Sequence, residues 1–88
     1  MKETDYLADL ARKRYDPPVT RTWEPGQRND DHVHQKDLYL LVLRGGMTVA
    51  IGASSYRLTT GGACEVPAGA LHSEQVDADG VSFLVAAR

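Results

Sequence analysis

Gly26-Gln27-Arg28-Asn29-Asp30-Asp31-His32-Val33-His34 is the most informative stretch of this sequence. It opens on a turn-forming glycine, runs through polar residues and ends in a His-x-His pair. In a β-strand the side chains at i and i+2 share one face, so His32 and His34 are expected to point the same way. Neutral imidazoles held this close suit a divalent transition metal, and a third from another strand would complete one triangular face of its coordination shell. The only other histidine in the chain is His72.

The residues around the three histidines form a frame. Gly26 precedes His32 by five intervening residues, and ten residues separate His34 from Gly45. Later come Gly61, five residues, Pro67-Ala68-Gly69, two residues and His72. This pattern resembles the two motifs of the cupin superfamily, in its small single-domain form. A chance match of Gly26, Gly45, Gly61, Gly69, Pro67 and the histidines at fixed spacing is improbable when glycine makes up about 7% and proline about 5% of average sequences. The resemblance covers roughly Trp23 to the C-terminus. It implies an all-β jelly-roll barrel with His32, His34 and His72 as metal ligands in its interior, and a homodimer formed through the sheets. Gly45 and Gly69 are expected at tight turns of positive φ, with Pro67 fixing the entry to the turn that presents His72.

One position departs from the family pattern. Where a glutamate ligand normally stands four residues beyond the second histidine, this chain has Leu38. Strand parity places 34, 36 and 38 on one face, so Asp37 would reach a metal only through a bulge. Glu74 lies two residues beyond His72, about 6.7 Å along the same face of a regular strand. It is the candidate replacement, either as a metal ligand or as the group that accepts a proton from a metal-bound water or substrate. Leu38 itself is expected to face inward and leave an apolar wall beside the ion. Three neutral imidazoles suit Zn²⁺, Fe²⁺, Ni²⁺, Cu²⁺ or Mn²⁺ better than Mg²⁺ or Ca²⁺.

Elsewhere, Leu7, Leu10 and Ala11 recur at helical spacing, which predicts a helix over Thr4–Tyr15 that Thr4 caps and Asp16-Pro17-Pro18 stops. Residues 1–18 then form a helical segment packed on the barrel or on a partner subunit, and residues 19–88 form the barrel. Beyond Pro18 short apolar runs alternate with Gly, Pro, Asn and Asp clusters, the signature of a sandwich or barrel. Strands are expected near Val19–Trp23, Asp31–His34, Leu38–Leu43, Met47–Ile51, Tyr56–Thr59, Ala63–Val66, His72–Val76 and Val81–Ala86. The run Leu38-Tyr39-Leu40-Leu41-Val42-Leu43 is apolar at both parities, so both of its faces should be buried. Leu38, Leu40 and Val42 would fill the barrel, leaving Tyr39, Leu41 and Leu43 to be covered by the N-terminal segment or a second subunit.

At 88 residues the chain allows one domain, and its one cysteine, Cys64, excludes an intramolecular disulfide and suits a reducing cytoplasm. Cys64 has no basic neighbour in sequence and reads as a small core residue. Trp23 and Tyr56 read as core aromatics, and Arg28 as a solvated cation beside the histidine pair. A net charge of −2 and no long basic run argue against nucleic acid as a partner. No apolar run approaches the roughly 20 residues of a membrane span. The candidate functions are a metal-dependent enzyme acting on a small molecule, of the dioxygenase, isomerase or decarboxylase kind the resemblance implies, and a module that binds or senses a metal or small ligand without turnover.

Overall fold

The computed structural model describes residues 1–88. Helix α1 (Glu3–Arg12) is followed by β1 (Val19–Trp23), β2 (Arg28–His32), β3 (Leu38–Ile51), β4 (Ser54–Leu58), β5 (Ala63–Val66) and β6 (His72–Ala87). All strand pairings are antiparallel. β3 and β6 form the spine, paired from Leu38↔Ala87 to Ile51↔His72. The free edge of β6 takes β1 along its C-terminal half and β2 along its N-terminal half. The free edge of β3 takes β5 and then β4. The result is two four-stranded halves, β1-β6-β3-β5 and β2-β6-β3-β4, folded over one another.

Each spine strand joins two runs that the sequence separates at glycines. The expected turns at Gly45-Gly46 and Asp79-Gly80 are instead bends within continuous strands, with register shifts between Val42 and Arg44 and between Gly45 and Met47. Gly45 (φ 75°) and Gly80 (φ 78°) both take the left-handed conformation. A Cβ on Gly45 would stand 2.1 Å from the Gly80 carbonyl oxygen, so the two strands cross here at a distance only glycine permits. A bulge also reverses which parity faces inward. Leu40 and Val42 before it, and Met47 and Val49 after it, therefore all enter one core, with Leu58, Val66, Val76 and Phe83.

A second cluster lies on the outer side of the first half. Tyr39 and Leu41 are covered there by Tyr6 and Leu10 of α1 and by Tyr15, all within one chain. Tyr6 donates to the Tyr39 carbonyl (2.7 Å) and Tyr39 to Asp9 (2.9 Å). Tyr15 donates to Glu65 (2.9 Å), which also pairs with Lys13. Each fully buried apolar side chain in such a cluster contributes about 1.5–3 kcal/mol. The helix is shorter than the sequence suggests, and Thr4 lies inside its first turn. Lys2 holds the N-cap position without a side-chain hydrogen bond, and Glu3 and Asp5 offset the uncapped end by complementing the helix dipole. At the other end Arg14 adopts φ 62° and the Tyr15 N–H reaches back to the Leu10 carbonyl, a Schellman-type stop reached before the prolines. No helix is long and apolar enough to cross a membrane.

Candidate metal centre

His72 and Glu74 begin β6, both on the inner face, and are 3% and 6% exposed. His32 ends β2 opposite His72. His34 lies two residues beyond the strand end, where its carbonyl accepts from the Gly69 N–H (2.9 Å), tying the loop that carries it to the turn before His72. Strand parity therefore describes His32 but not His34, whose direction is set by this cross-loop bond. The three rings nonetheless converge, with one nitrogen from each lying within 4.8 Å of the others.

The imidazoles are held in a ligating orientation. His32 Nδ1 lies 2.7 Å from the Asp30 carbonyl and His72 Nδ1 lies 3.0 Å from the Ala70 carbonyl. A carbonyl can only accept, so each Nδ1 carries a proton, and in the neutral ring this leaves the Nε2 lone pair facing the interior. Partial burial of the His34 ring, followed by the effect of His72 and His32, holds its pKa below the ordinary value, although Glu74 opposes this. The ring is thus kept in the neutral form that binds metal.

Glu74 points into the same space. Its Oε1 accepts from Asn29 Nδ2 at 3.0 Å. Its Oε2 is buried without a hydrogen-bond partner, 3.4 Å from His72 Nε2 and 3.7 Å from His32 Nε2. A buried carboxylate oxygen facing two imidazole lone pairs is an arrangement that calls for a cation. Three nitrogens and one such oxygen fit a divalent transition ion, and this donor set excludes the all-oxygen shell that Ca²⁺ prefers.

Other candidates fall into place around this cluster. Leu38, at the position of the family glutamate, lines the cavity beside the histidines, as do Leu40, Val66 and Phe83. Asp37 does not enter it, since its carboxylate accepts from the Ala68 N–H (2.7 Å) and Arg88 (2.9 Å). Arg28 pairs with Asp30 at the surface. Burial, and then Glu65, raise the Cys64 thiol pKa, consistent with its place in the core. Trp23 has two roles, packing edge-on against Phe83 (4.7 Å between ring centres) and lining the cavity. Tyr56, expected in the core, is exposed on β4, although it is paired in register with the buried Val49.

Two lining residues escape the sequence reading. Asn29 stands three residues before His32, an odd spacing that places the two on opposite faces of a regular strand. The register shift between Asn29 and His32 brings both inward, opposite Glu74 and His72. Arg21 stands two residues before Trp23, and that even spacing is the one signal the sequence offers for it. The cavity these groups enclose measures about 270 Å³.

The sequence matches the Cupin domain family model over residues 19–86. The chain belongs to the cupin family. It matches no curated protein. Among solved structures it resembles KdgF from Halomonas sp., with a TM-score of 0.69 and 21% identity over 80% of this cupin and 67% of that chain. The DMSP lyase DddQ from Ruegeria pomeroyi DSS-3 aligns with a TM-score of 0.74 and 21% identity over 81% of this chain and 36% of its own. Oxalate decarboxylase from Bacillus subtilis, studied for its Mn(II) centres, aligns with a TM-score of 0.69 and 24% identity over 80% of this chain and 20% of that one. These likenesses establish the jelly-roll barrel. The chain spans two thirds of KdgF and a much smaller share of the two enzymes.

Proposed function

We propose that this cupin binds one divalent transition metal ion through His32, His34 and His72, with Glu74 as the fourth protein donor, and acts on a small molecule held beside that ion. The reading rests on the orphaned Glu74 Oε2, which is buried without a hydrogen-bond partner 3.4 Å from His72 Nε2. Such an ion supplies Lewis-acid polarisation of a coordinated oxygen. The chain's own groups do the rest. The Asp30 and Ala70 carbonyls fix the tautomers of His32 and His72. Asn29 holds Glu74 by Oε1, which aims Oε2 at the space between the His32 and His72 Nε2 atoms, where it would serve as the anionic donor. Leu38, Leu40 and Phe83 keep bulk water from that side, where the low dielectric strengthens each polar contact.

Elemental analysis of protein purified without a histidine tag tests the metal reading. One equivalent of metal per chain is expected, falling sharply in His34→Ala and His72→Ala, and clear sub-stoichiometry in the wild type refutes it. Turnover is tested by screening the metal-loaded protein for consumption of small acids, diols and thiols, with and without oxygen. A ligand that binds and is never consumed would make the protein a binding module instead.

A further inference from the structure

The inner face of β1 carries a charge where its neighbours are apolar. Arg21 lies between Val19 and Trp23 on one side of the strand, paired in register with Phe83. The other side carries Thr20 and Thr22, the latter hydrogen-bonded to Ser82 (3.1 Å). Arg21, exposed along this strand, thus joins Trp23, Phe83 and Val85 in lining the cavity that contains the histidines. Arg12, Lys13, Arg28, Arg57 and Arg88 each pair with a carboxylate of this chain. Arg21, like Lys2, Arg14, Lys36 and Arg44, pairs with none, but it alone among the cations lines this cavity, where Glu74, the one acidic residue of the lining, is engaged by Asn29 and the histidines.

Charge and volume together narrow the ligand. With a divalent ion among three neutral imidazoles and one carboxylate, the centre carries about one net positive charge, and Arg21 adds another. The remaining lining is mostly apolar, so these two cations dominate the field inside the cavity. A space of about 270 Å³ is equivalent to about nine water volumes at some 30 Å³ each. We infer that the substrate is a small carboxylic acid, such as a short dicarboxylate or hydroxy acid, that directs one oxygen donor to the metal centre and a carboxylate to the Arg21 guanidinium. The planar fork of Arg suits a carboxylate better than the point charge of Lys does. This inference rests on the metal-site reading.

The bland alternative is that Arg21 only covers the apolar lip with its aliphatic stem while its head stays in water. Arg21→Met keeps the stem and removes the charge, and Arg21→Lys keeps charge without the fork. Zinc-loaded wild type and both variants are to be titrated with malonate, succinate, neutral 1,3-propanediol and imidazole, the last a neutral ligand that needs only the metal. Calorimetry and the fluorescence of Trp23, the only tryptophan, give two readouts independent of turnover. The expected result is full zinc content in all three proteins, malonate or succinate binding to wild type in preference to the diol, and a loss of roughly 10- to 100-fold in Arg21→Met. Arg21→Lys should fall between them, and imidazole affinity should stay within about twofold throughout. Equal dicarboxylate affinity in Arg21→Met, or no dicarboxylate binding by zinc-loaded wild type, overturns the substrate assignment and leaves the metal site standing. Failure of the wild type to take up zinc overturns both.

Discussion

Replacing Glu74 with Gln should raise the stability of the metal-free protein and shrink the increment that zinc adds to it. Without metal, the buried Oε2 of Glu74 faces the Nε2 atoms of His72 (3.4 Å) and His32 (3.7 Å) as one acceptor facing two. A buried acceptor left unpaired costs about 1–3 kcal/mol. In Glu74→Gln the new side chain would keep an oxygen for Asn29 and turn its amide N–H toward the His72 lone pair, which removes that cost. In a domain this small 1 kcal/mol corresponds to roughly 4–8 °C, so the metal-free Tm should rise by at least about 4 °C. With metal the carboxylate is the anionic donor, and its loss should weaken zinc binding by about 10- to 100-fold. At fixed zinc in excess of both dissociation constants, this removes about 1.4–2.7 kcal/mol of ligand-linked stabilisation. Thermal denaturation of tag-free protein at pH 8, where ordinary imidazole is neutral, with chelator and then with zinc, reads both effects. A Glu74→Gln protein whose metal-free Tm is unchanged or lower and whose zinc-induced rise equals that of wild type would refute the argument that Glu74 is placed for a cation.

Asn29→Ala should lower zinc affinity by about tenfold, because Glu74 loses the bond that aims it; calorimetric zinc titration checks this, and an unchanged constant counts against a positioning role. Gly45→Ala should cost more than about 3 kcal/mol in urea unfolding, since its Cβ meets the Gly80 carbonyl at 2.1 Å. Gly69→Ala, at a similar φ of 76° but with open space around it, should cost only about 1–2 kcal/mol. Burial, with the hydrogen bond to Asp9 second, pushes the Tyr39 phenol up to about 12, and burial raises Tyr6 and Tyr15 as well. A raised pKa means the folded state keeps protons that the unfolded chain releases above about pH 10. Stability should therefore hold up to about pH 10 and then fall by about 1.4 kcal/mol per pH unit for each such tyrosine until its folded-state pKa is passed. Urea midpoints across that range, with a shallower decline in Tyr39→Phe, test the sign.

The barrel was legible because its information is local. The apolar run from Leu38, the His-x-His pair and the spaced glycines each state a constraint within a few residues. What the sequence left open was continuity across the glycines. Two short strands separated by Gly45-Gly46 and one bent strand have the same apolar pattern, because a turn and a bulge use the same left-handed glycine. The distinction lies in phase. Inward residues run 38, 40, 42 and then 47, 49 in β3, and 72, 74, 76 and then 81, 83, 85 in β6. In each strand an odd step at the glycine reverses parity while the core side stays the same, as a bulge requires. The helix start escapes a local reading for a related reason. Thr4 is a good cap by residue type, but the first turn begins where Met1 is anchored to the Gly61 carbonyl (2.6 Å), a contact sixty residues away in sequence.

The site was legible in its metal-facing half and obscure in its ligand-facing half. One register pair, His32↔His72, gathers His32, His72 and Glu74, whereas His34 joins them from beyond the strand end, where its carbonyl accepts from the Gly69 N–H. Asn29 depends on a bulge that no residue type announces. Arg21 depends on which side of β1 faces the core, and Val-Thr-Arg-Thr-Trp offers β-formers on both sides. Only the pairing of Arg21 with Phe83 settles it. The asymmetry is physical, since a metal centre must be built from a few residue types at fixed separations, whereas a substrate pocket is defined by depth and facing. Exchanging Arg21 and Leu38 for other residues should accordingly change which ligand binds while leaving metal content intact. The same exchange at His72 should abolish both.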